Sequence, residues 1–179
     1  MNTQTDQSVI TPEHVAIVGG GVIGCGWAVR SLAAGARVTV FDTDVATAER
    51  RLKQAIDIAW PSMEKRGLAA TANSGAWHVT DDLADALAGA DLVQENVPER
   101  TALKQHVLAE IDALVPKDVL IGSSTSGIKP SELAEQATRA PGRIVVAHPF
   151  NPVYLLPLVE IVGNTATDEA TIEQARAHY

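Results

Sequence analysis

The stretch "HVAIVGGGVIGCGWAVR", residues 14–30, decides how the chain folds. It opens as a β-branched apolar run, passes through a glycine cluster and continues as a segment of helical composition that meets a stop signal at Gly35. Strand, tight turn and helix in that order begin a βαβ unit. Gly19, Gly21 and Gly24 stand at G-x-G-x-x-G spacing, with Val22 and Ile23 between the last two. Each glycine has its own task there: the tight turn, close approach of backbone to a ligand, and close packing of helix on strand. The helix start adds free N–H groups and a partial positive charge, so the turn suits an anionic group.

Working outward, "ARVTVFD" (36–42) is a second buried-type strand that ends in Asp42, 18 residues after Gly24. An acid at that place accepts bonds from ribose hydroxyls and repels a 2′-phosphate. Turn and acid together predict NAD rather than NADP as cofactor. A long polar-faced helix is expected over 43–60, capped by Thr43 or Asp44 and ended or bent by Pro61, with irregular chain over 61–75. A strand within 76–82 then leads into a short helix, 82–88. Further short strands recur at 91–96, 118–124 and 143–148, separated by helical stretches at 101–115 and 130–139. A last helix over about 167–178 has Thr167 as its cap and an apolar side expected to lie uncovered, which favours self-association. Continuous apolar strands alternating with helices predict a Rossmann-type, doubly wound, mostly parallel α/β sheet covered on both faces. One NAD-binding domain is expected over residues 13–179, after a flexible tail over 1–12. Ligands of such sheets lie at the carboxyl ends of the strands, so residues 19–24, 42, 95–100, 123–127 and 148–151 are expected to face one crevice.

Bulk composition fits this reading. Apolar residues make up 46 % and charged residues 20 %, the balance of a globular domain rather than of a disordered or membrane-spanning chain. The net charge of −8 comes without any Lys/Arg run, so neither nucleic acid nor membrane is an expected partner. Cys25 is the only cysteine, which excludes an internal disulfide and a thiolate metal cluster and suits a reducing cytoplasm; no metal site is expected. Its place beside the glycine turn is read as helix packing. The polar residues 1–12 lack the pattern of a secretory signal.

Oxidation of an alcohol by NAD needs a base for the hydroxyl proton. His148 ends a strand on the crevice side, and an unperturbed imidazole titrates near working pH. Glu160 lies on the next apolar run, and a chain turning back through "PFNPVYLLP" would bring its carboxylate to the ring, to fix one tautomer and stabilise the imidazolium. Ser126 is read either as a contact to the substrate oxygen or as an ordinary turn residue. Asn151 is read either as a turn former before Pro152 or as a side chain that holds the nicotinamide amide.

The glycine turn, Asp42, "QENVPER" (94–100), "SSTSGIKPSEL" (123–133) and "HPFNPVYLLPLVEIV" (148–162) together resemble the 3-hydroxyacyl-CoA dehydrogenase superfamily. The resemblance implies NAD-dependent oxidation of a 3-hydroxyl, with His148 and Glu160 as the catalytic pair and Ser126 touching substrate and cofactor. It further implies that Glu95, Arg100 and Asn151 lie against the cofactor. Fatty-acyl members carry Asn where this chain has Ser124; that difference, with "VPER" and "PVYLLP", argues against a CoA thioester, and the branch of the superfamily that the chain resembles most implies a small carnitine-like 3-hydroxy acid. Trp60 or Tyr154 would offer an aromatic face to a trimethylammonium group, or simply pack. A gulonate-type 3-hydroxy acid, a 3-hydroxyacyl-CoA and an NAD-binding fragment without turnover are the alternatives. Members of the family continue into a helical C-terminal domain, expected to be absent here, and act as homodimers.

Overall fold

A computed structural model describes residues 11–179, so most of the expected tail lies outside the described residues. Seven strands form one sheet: β1 (His14–Val18), β2 (Arg37–Phe41), β3 (Trp77–Thr80), β4 (Leu92–Glu95), β5 (Leu120–Ser123), β6 (Ile144–Pro149) and β7 (Val159–Val162). Their order is β3-β2-β1-β4-β5-β6-β7, with every pairing parallel except the last. The connections run outward from β1 on both sides, so the strand order reverses between β1 and β4. That reversal opens the crevice in which doubly wound sheets hold ligands.

The helices are α1 (Val22–Ala33), α2 (Val45–Arg66), α3 (Leu83–Leu87), α4 (Thr101–Leu114), α5 (Pro130–Leu133) and α6 (Glu169–His178). Strand β1 explains why both faces are covered. Val15 and Ile17 join an apolar cluster with Trp27, Leu32, Leu52 and Ile56 of α1 and α2. Ala16 and Val18 point the other way, into a cluster with Leu87, Leu108, Ile111 and Leu133 of α3, α4 and α5. Alternate residues of a strand address opposite faces, and an apolar residue at every position needs two layers of helices.

Several boundaries differ from the sequence reading for identifiable reasons. Helix α2 runs through Pro61 to Arg66, because the buried face Ala48, Leu52, Ile56, Ala59 continues to Met63 while Pro61 itself is exposed. Packing on that face outweighs the backbone bond lost at the proline. Asp44, not Thr43, is the N-cap and accepts from the Thr47 N–H. Helix α5 is only one turn long; residues 134–136 continue it as a turn, and the chain beyond them is irregular. Asp168 rather than Thr167 caps α6; the Thr167 hydroxyl instead accepts from Asn164 N and donates to the Gly142 carbonyl. The expectation that α6 lies uncovered is also corrected, since it packs on β7 and β5 with Ala175 fully buried. Tyr179, just beyond it, stacks edge-on against Trp27 and donates its hydroxyl to Gln94. Exposed apolar side chains gather instead on and before β7, at Phe150, Leu156, Leu158 and Val162.

Candidate active site

The glycine turn is shaped by what surrounds it. Gly19 has φ +104°, open only to glycine at low cost, and a Cβ there would lie 2.8 Å from the Asn96 carbonyl oxygen. A Cβ on Gly24 would collide with the Gly19 carbonyl, whereas beside Gly21 there is open space. That open space, at the N-terminus of α1, is where a pyrophosphate would approach the backbone. Asp42 reinforces the turn: Oδ2 accepts from Gly20 N at 2.8 Å and Oδ1 from Asp44 N at 3.0 Å. Gly19, Gly21, Asp42, Asn96 and Arg100 line one cavity of about 520 Å³ at the carboxyl ends of β1, β2 and β4. A dinucleotide fits this donor set: a glycine cradle for phosphates and a carboxylate beside it for ribose hydroxyls.

The expected single crevice is divided into separate cavities. Ser126, His148 and Glu160 line a second one, of about 320 Å³, over β5, β6 and β7. Asn151 lines a third, of about 350 Å³, with Val22, Cys25, Arg51 and Tyr154. Ile23 packs against the core and lines none of the three. Cys25 is buried and donates weakly to the Gly20 carbonyl, and burial pushes its thiol up to about 11, which suits packing rather than chemistry.

The imidazole and the carboxylate meet through strand register. Strand β7 turns back antiparallel to β6, and His148 and Glu160 are direct cross-strand partners, so their side chains leave the same face. His148 Nδ1 lies 2.8 Å from Glu160 Oε2. The edge of Phe150, with ring centroids 5.6 Å apart, steadies the imidazole. The histidine side chain is 27 % exposed and the glutamate 59 %, so a ligand in the cavity can reach both.

Glu95 needs correcting as a cofactor contact. Its side chain is fully buried, pairs with Lys104 Nζ at 2.7 Å, and accepts from the Ser123 hydroxyl and from Val97 N. Burial raises its pKa, while Lys104 and these hydrogen bonds oppose the rise. It is a structural carboxylate beneath the crevice floor. The carboxylate that reaches the serine turn is Glu99, four residues on, which accepts from the Thr125 hydroxyl, Ser126 N at 3.0 Å and Gly127 N at 3.3 Å. Burial opposes ionisation of Glu99, but the Thr125, Ser126 and Gly127 bonds outweigh it and hold the pKa below the ordinary range.

Sequence reasoning also missed Asn96 and the role of Ser124. The Ser124 hydroxyl accepts from Trp27 Nε1 at 3.0 Å and Gln94 Nε2 at 2.9 Å, and donates to Asn96 Oδ1 at 2.7 Å. Its hydrogen-bonding capacity is fully used in fixing the Asn96 amide at the cavity wall. Nothing in local spacing announces a triangle drawn from α1, β4 and the end of β5.

Sheet order, glycine cradle and acidic strand end define a dinucleotide-binding domain. The family model for "3-hydroxyacyl-CoA dehydrogenase, NAD binding domain" matches residues 14–179, and the chain belongs to the 3-hydroxyacyl-CoA dehydrogenase family with NAD as its cofactor. Among relatives, an L-carnitine dehydrogenase of Bacillus cereus is 52 % identical over 93 % of this chain and 51 % of its own length. Another, from Oceanobacillus iheyensis, is 49 % identical over 93 % of this chain and 54 % of its own length. The structure of 3-hydroxybutyryl-CoA dehydrogenase from Escherichia coli superposes with a TM-score of 0.81 at 31 % identity, over 92 % of this chain and 35 % of that one. The chain thus spans about half the length of the curated relatives it matches. No helix among the described residues is long and apolar enough to cross a membrane.

Proposed function

We propose that this chain is the cofactor-binding part, residues 13–179, of a cytoplasmic dehydrogenase that oxidises the 3-hydroxyl of L-carnitine to 3-dehydrocarnitine. The observation that carries the chemistry is the 2.8 Å contact between His148 Nδ1 and Glu160 Oε2 at the wall of a cavity shared with Ser126. The substrate assignment draws on the relatives named L-carnitine dehydrogenase.

Bound NAD supplies the hydride acceptor. With Nδ1–H donating to Glu160, the ring keeps Nε2 as the acceptor for the hydroxyl proton, and the carboxylate stabilises the imidazolium that forms. Ser126 steadies the substrate oxygen, and its backbone is held by Glu99. Arg100 and Asp42 bind the adenosine side of the cofactor from the wall they share. The Gly19–Gly21 turn and the first turn of α1 with Val22 hold the pyrophosphate, and Asn151 holds the nicotinamide side. The whole enzyme is proposed to act as a homodimer, for which the exposed apolar Leu156, Leu158 and Val162 beside the site provide a surface.

Formation of NADH with L-carnitine, L-gulonate and 3-hydroxybutyryl-CoA in parallel tests the reading. Turnover with carnitine above the other two is expected. Absence of a carnitine signal, with NADH formed from either competitor, would reassign the substrate. NAD binding by calorimetry with no turnover on any of the three would leave this chain a binding unit only.

A further inference from the structure

We propose that Lys129 recognises a free carboxylate on the substrate, and so sets the preference for a 3-hydroxy acid over a thioester. The inference rests on the dehydrogenase reading above and deepens it. Lys129 lines the same cavity of about 320 Å³ as Ser126, His148 and Glu160, and it is the only lysine or arginine among the described residues that do. Its main chain is pinned: it sits at the N-cap of α5 before Pro130, and its carbonyl accepts from Glu132 N at 3.0 Å and Leu133 N at 3.1 Å. Its ammonium, by contrast, makes no hydrogen bond or ion pair with any described residue. Lys104, two elements away, is wholly engaged by Glu95 and Glu99.

The chemistry of the substrate gives that free cation its task. In a 3-hydroxy acid a single methylene separates the carbinol carbon from the carboxyl carbon. Once the hydroxyl is at His148, the carboxylate therefore has to lie in or at the mouth of the same cavity. Glu160 already places a negative charge there, which repels a second carboxylate unless a cation compensates. A lysine on a four-carbon stem can follow the carboxylate as a compact charge, while a thioester carbonyl, carrying no net charge, gains far less from it. For a zwitterion such as carnitine this also fixes direction: the carboxylate points to the serine turn, and the quaternary ammonium points away from it.

The test uses the full chain loaded with NAD, with 3-hydroxybutyrate and its neutral amide as probes. Binding is followed by the proton resonance of the His148 ring, identified by its loss in His148→Gln. The acid is expected to bind about 10- to 100-fold more tightly than the amide, the range of a charge-assisted hydrogen bond. Lys129→Met should bring the acid down to the level of the amide, Lys129→Arg should restore most of the preference, and NAD affinity should be the same in all three. Equal binding of acid and amide by the unaltered chain, an acid preference that survives Lys129→Met, or failure to bind either probe overturns the proposal. The dehydrogenase reading fails separately, if the acid binds as described but no 3-hydroxy compound yields NADH.

Discussion

Two carboxylates in this molecule face a basic side chain at nearly the same distance, Glu95 with Lys104 at 2.7 Å and Glu160 with His148 at 2.8 Å, yet their surroundings are opposite. The first pair has side-chain exposures of 0 % and 2 %, and Ser123, Val97 and Glu99 complete its shell. Nothing is left for a ligand to bind. The second pair sits on an edge strand at a cavity wall, partly open, with one ring nitrogen uncommitted. Contact between opposite charges is therefore no sign of function here; the sign is an unfinished set of partners at a place a ligand can reach.

The comparison can be broken by exchanging the consequences of mutation. His148→Gln should lower turnover by about 10²- to 10⁴-fold, the usual contribution of a general base, with little change in the unfolding midpoint. Steady-state NADH formation and a thermal melt measure both. Lys104→Met should do the reverse, costing about 3–5 kcal/mol in urea denaturation, because it strands a buried carboxylate. A Lys104→Met chain as stable as its parent would remove the contrast.

Smaller effects sharpen it. Glu160→Gln should cost turnover about 10-fold, less than the histidine change, since water shares the task at a carboxylate that is 59 % exposed. A third ion pair, Arg143 with Asp112 at 2.8 Å, tests the buried class by pH. Burial opposes ionisation of Asp112, but the Arg143 bond and the N–H groups of Arg139 and Ala140 prevail and lower its pKa. A lowered carboxylate pKa stabilises the fold fully above the unfolded value, about 4, and that stability drains as pH falls through the folded value. Asp112→Asn should accordingly flatten the acid limb of the stability profile, as read by denaturation at stepped pH.

The alternation of apolar strands and helices made the sheet legible in sequence, because each strand of a covered sheet must be apolar throughout. The meeting of His148 with Glu160 was legible too, since a histidine and a glutamate inside an apolar run are costly unless paired. The division between Glu95 and Glu99 was not. Both lie in "QENVPER", and only the turn at the end of β4 determines which one goes under the sheet and which goes up to the serine loop. Pro61 misled for a related reason: a local rule predicts a break there, whereas the packing that carries α2 past it is set by residues distant in the chain.

The antiparallel return of β7 means that His148 and Glu160 are held together by main-chain geometry and not by side-chain reach. Adding or deleting one residue in the bend between the two strands would leave the ladder able to form, but would bring Val159 or Ile161 opposite His148 and send the carboxylate to the far face. The length of the bend is therefore fixed in steps of two, while the buried Val153 and the Phe150 ring against His148 restrict its composition.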